Sequence, residues 1–90
     1  RGEELQSEYF VPRRHGPGAT RALRALADRI APLLMVSEIR TVAADDLWLS
    51  PAYGTDVTAL HFTWIPDEAA VRALLPDLEA ALRPFGPGRT

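Results

Sequence analysis

The sequence predicts an α+β fold, a two-layer ferredoxin-like sandwich in which two helices cover one face of an antiparallel sheet. Strand-like and helix-like segments follow one another in the order β-α-β-(β)-β-α. The two β-then-α halves fit a split βαβ layout, in which both helices lie on the same side of the sheet. A length of 90 residues is sufficient for one such domain.

Three segments are predicted to be strands. Residues 5–11 are rich in apolar and aromatic side chains and are followed by Pro12. Residues 35–42 carry several β-branched residues, and residues 57–65 (VTALHFTWI) have the clearest strand pattern of the chain. The assignment of residues 43–54 stays open, because they hold one short strand-like stretch between turn-forming residues.

A first helix is predicted over residues 19–34, after a Gly/Pro-rich loop at residues 13–18. Its apolar residues recur at i, i+3, i+4, i+7 and i+11, as on one face of an amphipathic helix. Pro32 should end or kink this helix near Ala31, because proline lacks the amide hydrogen and clashes with the preceding turn.

A second helix is predicted to begin after Asp67, a favourable N-cap residue. Its apolar stripe runs from Val71 to Leu82, and Pro76 within it predicts a kink or a split. The Pro/Gly-rich residues 84–90 are interpreted as a tail that leads towards a further strand.

Strand alternation separates two kinds of surface. In residues 57–65, the large side chains suited to packing under the helices are Leu60, Phe62 and Trp64. The opposite side of that segment carries polar groups, as does one side of residues 35–42. If these two strands pair, the helix-free face of the sheet bears four polar residues together, namely Glu38, Arg40, His61 and Thr63.

Composition excludes several classes of function. The net charge of −2 and the lack of a long basic run argue against a nucleic-acid partner. There is no cysteine, no clustered set of metal ligands, no glycine-rich phosphate cradle and no apolar stretch long enough to cross a bilayer. We therefore expect no metal and no membrane partner, and we expect a cytoplasmic protein.

The residues alone leave the role of the polar face open. A Glu and an Arg two positions apart on a strand are most often a solvated ion pair of small energetic consequence. His61 and Thr63 on an exposed face are equally compatible with a neutral role. One alternative is therefore a stand-alone ferredoxin-like module that binds a small ligand, and another is an oligomerisation domain.

A longer pattern narrows these alternatives. Residues 37–54 (SEIRTVAADDLWLSPAYG), the HFTW motif at residues 61–64, residues 66–68 (PDE) and residues 7–13 (SEYFVPR) together resemble the alditol (xylitol) oxidases. These enzymes are FAD-linked oxidases of the vanillyl-alcohol-oxidase type and are related to the sugar-1,4-lactone oxidases. The similarity covers nearly the whole chain, from about residue 7 to residue 86.

The resemblance implies that residues 1–90 are a single α+β substrate (cap) domain, a C-terminal fragment of a larger oxidase whose flavin-binding domain holds FAD. Such an enzyme oxidises the terminal hydroxyl of an alditol to an aldehyde, and oxygen then reoxidises the flavin to give hydrogen peroxide. By motif, Glu38 and Arg40 are implied as catalytic and substrate-binding residues, and His61 and Thr63 as substrate-binding residues. No cofactor-binding residue is implied in this chain. The implied partners are a polyol and the flavin domain. A second copy of the fragment is a further expected partner, because surfaces that the flavin domain normally covers would be exposed. The fragment alone should be inactive.

Overall fold

A computed structural model describes residues 5–43, 56–86 and 88–89 of the chain. The described strands are β1 (Leu5–Pro12), β2 (Leu34–Val42), β3 (Val57–Trp64) and β4 (Gly88–Arg89). They form one sheet in the order β2-β3-β1-β4, and each adjacent pair is antiparallel. Since β1 and β2 are both antiparallel to β3, they run parallel to each other with β3 between them. This is the split βαβ arrangement, so the predicted ferredoxin-like sandwich is confirmed.

Three α-helices pack against this sheet. They are α1 (Gly16–Arg24), α2 (Ala27–Ile30) and α3 (Glu68–Leu82). Short 3-10 turns at Arg13–His15, Ala31–Leu33 and Arg83–Phe85 join helices to their neighbouring elements. The structure does not describe residues 44–55. The open assignment of the segment between β2 and β3, with its possible strand at residues 47–49, therefore lies outside the described residues.

The helix predicted over residues 19–34 differs from the structure in its middle and at its C-terminal end. It is interrupted by a turn at Ala25 and Leu26, and Pro32 lies in the 3-10 turn that follows α2. Leu34 is already extended (ψ 127°) and opens β2 instead of closing the helix. A proline cannot continue the α-helical hydrogen-bond ladder, which accounts for the tighter turn and the change of direction at this point.

Residues 13–18 form a 3-10 turn and the first turn of α1, so their prediction as a loop was wrong. Pro17 occupies the first turn of α1, where its missing amide hydrogen is not needed. The flanking glycines make room for close packing. A Cβ at Gly16 would lie 2.8 Å from the Thr58 hydroxyl, and one at Gly18 would lie 2.7 Å from the Phe85 ring.

The second predicted helix is confirmed, with one correction. The Asp67 side chain caps α3 by accepting a hydrogen bond from the Ala70 amide at 3.2 Å. Pro76 neither ends nor splits the helix, which continues to Leu82. The residue is exposed, whereas Leu74 and Leu78 on either side of it are buried, so packing of the apolar stripe maintains the helix through the proline.

The core lies between the helices and the inner face of the sheet, which is the face that the helices cover. Trp64 is fully buried at its centre, with its ring stacked on Phe62 at 5.3 Å between centroids. Its indole nitrogen donates a hydrogen bond to the Ser7 hydroxyl at 3.1 Å. The other buried residues of this cluster come from both layers: Tyr9, Val11, Ala19, Leu23, Ile30, Leu60, Val71, Leu74, Leu78 and Leu82.

The C-terminal segment takes part in the sheet. Gly86 follows the last 3-10 turn with φ 65° and ψ 48°, a left-handed conformation that glycine adopts without a steric penalty. The short strand β4 then pairs with β1, placing Gly88 opposite Phe10. Residues 84–90 were expected to lead towards a further strand. The short strand β4 lies within these residues.

Candidate functional site

The face of the sheet turned away from the described helices, here called the outer face, collects the polar strand residues. Antiparallel pairing places directly opposite residues on the same face. Glu38 of β2 is opposite His61 of β3, and His61 is opposite Glu8 of β1. The three side chains therefore form a row across the sheet, with the histidine between two carboxylates.

A second row on the outer face runs parallel to the first. Val36 of β2 is opposite Thr63 of β3, which is opposite Gln6 of β1. The four residues predicted from the sequence, Glu38, Arg40, His61 and Thr63, are thus brought together on one face of two adjacent strands, β2 and β3. Their placement agrees with strand alternation, while their part in binding or catalysis stays a prediction.

Arg40 connects two strands of the outer face through its guanidinium group. Nη1 lies 3.4 Å from Oε1 of Glu38, and Nη2 lies 3.8 Å from Oε2 of Glu8. The side chains of Arg40 and Glu38 are 54% and 60% exposed, whereas that of Glu8 is only 22% exposed. The planar fork of the guanidinium is therefore held between two carboxylates on opposite sides of β3, with both charged partners reachable from solvent.

His61 has a polar neighbour on β1 as well. Its Nε2 lies 3.3 Å from the Gln6 side-chain oxygen. Each of the two ring nitrogens is a donor or an acceptor depending on the tautomer. Two β1 residues, Gln6 and Glu8, thus join the predicted four. Reasoning from the sequence omitted them because it considered only β2 and β3. Their alternation in β1, together with the pairing of β1 and β3, is the signal that would have found them.

The arrangement is suited to binding a molecule rich in hydroxyl groups. Carboxylate oxygens of Glu38 accept hydrogen bonds from hydroxyls, and the Arg40 guanidinium donates them in a fixed geometry. His61 and Thr63 can each donate or accept one. A face that offers both donors and acceptors in two adjacent rows can form hydrogen bonds with several neighbouring hydroxyls of one ligand at once.

Two grooves of the described residues lie away from the outer face. One groove of about 260 Å³ and another of about 580 Å³ lie between α1 and β2, on the inner side of the sheet. Their linings include Ile39 and Thr20 but none of the polar residues of the outer face.

Cofactor and metal sites have no counterpart in the part of the chain that the structure describes. No group of three or more histidine, aspartate or glutamate side chains could hold a metal ion there. The side chains of Thr58 and Phe85 occupy the space beside Gly16 and Gly18, so these glycines form no open cradle for a phosphate. Among the same residues, no helix is both long and apolar enough to span a bilayer.

Comparison with known proteins tests the resemblance that the sequence motifs suggested. The chain is 49% identical over 86 residues, or 96% of its length, to an alditol oxidase from Streptomyces sp. (strain IKD472 / FERM P-14339). The resemblance to the alditol oxidases is confirmed. The chain spans about a fifth (21%) of the length of that oxidase, and no family model matches it.

Proposed function

We propose that this chain is the substrate-domain portion of a longer FAD-dependent oxidase that converts the terminal hydroxyl of an alditol, such as xylitol or sorbitol, to an aldehyde. Oxygen would be the electron acceptor and hydrogen peroxide the second product. The observation that carries the proposal is the 49% identity to an alditol oxidase over almost the whole chain. The donors and acceptors gathered on the outer face support it independently of sequence similarity.

In this proposal Glu38 and Arg40 bind the reacting end of the polyol. Glu38 accepts hydrogen bonds from two neighbouring hydroxyls, and Arg40 donates to the oxygen of the alcohol that is oxidised. A cation at that oxygen favours alkoxide character as the hydride leaves the adjacent carbon. His61 and Thr63 bind hydroxyls further along the substrate, because they lie one strand away from Glu38 on β3.

Specificity for polyols follows from the same polar rows. A site built to hydrogen-bond several hydroxyls discriminates strongly against analogues that lack one, because the unmatched groups of the site then stay unpaired. Gln6 and Glu8 extend the row of donors and acceptors to β1 and offer contacts for a substrate longer than two or three carbons.

FAD is assigned to a domain outside this chain. The residues described here do not fit the cofactor, since their glycines at the start of α1 pack against protein side chains and no nucleotide cradle is formed. We place the flavin domain over the outer face, where it would complete the substrate site. We place the whole enzyme in the cytoplasm.

The isolated 90-residue chain is expected to fold without bound flavin and to oxidise no polyol. The reason is that positioning the cofactor is the protein's main contribution to flavin chemistry, and the described residues form no such site. Absorbance spectra of the purified chain, before and after incubation with FAD and gel filtration, test this together with a peroxide assay in the presence of xylitol.

The matched control is the longer protein, purified and assayed in the same way, which should be yellow and active. Flavin retained by the 90-residue chain at near-equimolar amounts would contradict the assignment of FAD to another domain. Peroxide formation by the chain alone would contradict it equally.

A further inference from the structure

Strand β2 forms an exposed edge of the described sheet. Among the described residues it pairs with β3 on one side only, and from Met35 to Thr41 every residue is exposed. Val36 and Ile39 are 55% and 56% exposed, although both are large apolar residues on a strand. Unpaired backbone groups beside exposed apolar side chains make such an edge a template for pairing with another strand.

The sequence of this edge is complementary to itself. Residues 36–42 (VSEIRTV) have a two-fold pattern centred on Ile39. On either side of the centre stand a glutamate and an arginine, then a serine and a threonine, then two valines. When two such strands run antiparallel about Ile39, each residue therefore faces a partner of matching chemistry.

From this pattern we propose that a second copy of the chain docks on β2 by antiparallel pairing centred on Ile39. The two sheets then join into one continuous sheet around a two-fold axis. Glu38 of each copy lies opposite Arg40 of the other, and the two Ile39 side chains face each other. The inference concerns the association of this chain and stands whether or not the outer face binds polyols.

Charge restricts the pairing to this register. A shift by two residues in one direction places Glu38 opposite Glu38 of the other copy, and a shift in the other direction places Arg40 opposite Arg40. Like charges directly opposite each other are destabilising. Shifts by one residue would move every side chain to the wrong face of the joined sheet. Of the registers near the middle of the strand, the one centred on Ile39 is therefore the one that places opposite charges across from each other.

The local geometry of β2 marks the same seven residues. The register with β3 shifts between Leu34 and Val36, which leaves Met35 as an extra residue at a bulge. From Val36 to Val42 the pairing with β3 is regular. Bulges end the part of an edge that another strand can extend, so the pairable stretch begins where the two-fold pattern begins.

The interface is small. Pairing of one strand buries less than the roughly 1,000 Å² typical of a stable interface, so a weak, concentration-dependent dimer is expected. Sedimentation of the 90-residue chain over a range of concentrations measures this. Ile39→Lys places two like charges at the two-fold axis and should abolish the dimer, whereas Ala73→Lys, on the exposed side of α3, should leave it unchanged.

Cysteine cross-linking tests the register, since the chain contains no cysteine of its own. Opposite residues of an antiparallel pair lie about 4.5–5.5 Å apart between Cα atoms, within the range of a disulfide. Ile39→Cys should therefore give a covalent dimer on mild oxidation. Ser37→Cys alone should stay monomeric, because its two copies would lie roughly 13 Å apart. A mixture of the Ser37→Cys and Thr41→Cys variants should give a covalent heterodimer, because these two positions lie opposite each other in the proposed register.

A chain that sediments as a monomer at its highest soluble concentration would overturn the proposal. A dimer that survives Ile39→Lys, or one that cross-links through Ser37→Cys alone and not through Ile39→Cys, would place the interface elsewhere and overturn it as well. A dimer seen only in the 90-residue chain, and lost in the longer protein, would indicate that a strand of the longer protein occupies this edge instead.

Discussion

Replacing Glu38 with glutamine in the longer oxidase is expected to lower kcat/KM for xylitol by roughly tenfold to a hundredfold while the fold is retained. The amide keeps the shape of the side chain but loses the negative charge and one acceptor. Glu8, at 3.8 Å, would then be the only charged partner of Arg40 among its two carboxylate contacts. A hydrogen bond to a charged group is typically worth about 1.5–3 kcal/mol, which corresponds to the expected loss.

Arg40→Lys belongs to the same experiment and should be comparably damaging. A lysine ammonium is a point charge that cannot bridge Glu38 and Glu8 with a planar fork while also donating to a substrate oxygen. Steady-state kinetics with xylitol and sorbitol, accompanied by melting curves, measure both variants.

Glu68 and Arg72 provide matched controls. They form an ion pair on α3, with the Arg72 Nε donating to Glu68 Oε2 at 2.7 Å, and Glu68 is 60% exposed, as is Glu38. Because exposed ion pairs contribute little, Glu68→Gln and Arg72→Lys should leave kinetics unchanged. If Glu38→Gln and Arg40→Lys behave like these controls, the outer-face pair is a solvated ion pair and the proposed site is wrong.

The largest effect on stability is expected from Trp64→Ala. The indole is fully buried, stacks on Phe62 and donates to the Ser7 hydroxyl, so truncation creates a cavity and leaves that hydroxyl without its donor. Large-to-small changes of this kind cost about 3–5 kcal/mol. A 90-residue domain has little stability to lose, since total values lie between about 5 and 15 kcal/mol.

Thermal unfolding of the 90-residue chain, followed by circular dichroism, measures this effect. The melting temperature should fall by more than about 10 °C, or the variant should not fold. Met35→Ala is the control, because Met35 is a large apolar residue that is 51% exposed and should tolerate truncation. An equal, small shift for both variants would show that Trp64 does not hold the two layers together.

Most of the fold could be predicted because local patterns and tertiary packing agree. Alternation in residues 57–65 assigned Leu60, Phe62 and Trp64 to the core, and all three are buried. The errors occur where packing changes the meaning of a residue. Gly16 and Gly18 were interpreted as loop-forming residues, but they are small so that Thr58 and Phe85 can approach α1, a contact that no local pattern reveals.

The candidate site could be predicted only in part. Strand alternation placed Glu38 and Arg40 on one side of β2, and His61 and Thr63 on one side of β3. Glu8 was missed because its contact to Arg40 crosses an intervening strand, and the order β2-β3-β1 is needed to bring it within 3.8 Å. Sequence patterns give the face of a residue within its strand, whereas the position of that strand in the sheet depends on long-range pairing.

Peroxide production by the longer protein tests the proposed function most directly. The proposal predicts that the purified, flavin-containing protein consumes oxygen on addition of xylitol or sorbitol and releases an equimolar amount of hydrogen peroxide. In the absence of oxygen, the same polyols should bleach the flavin. A protein that carries flavin but neither bleaches nor forms peroxide with any alditol would contradict the assignment of this chain to an alditol oxidase substrate site.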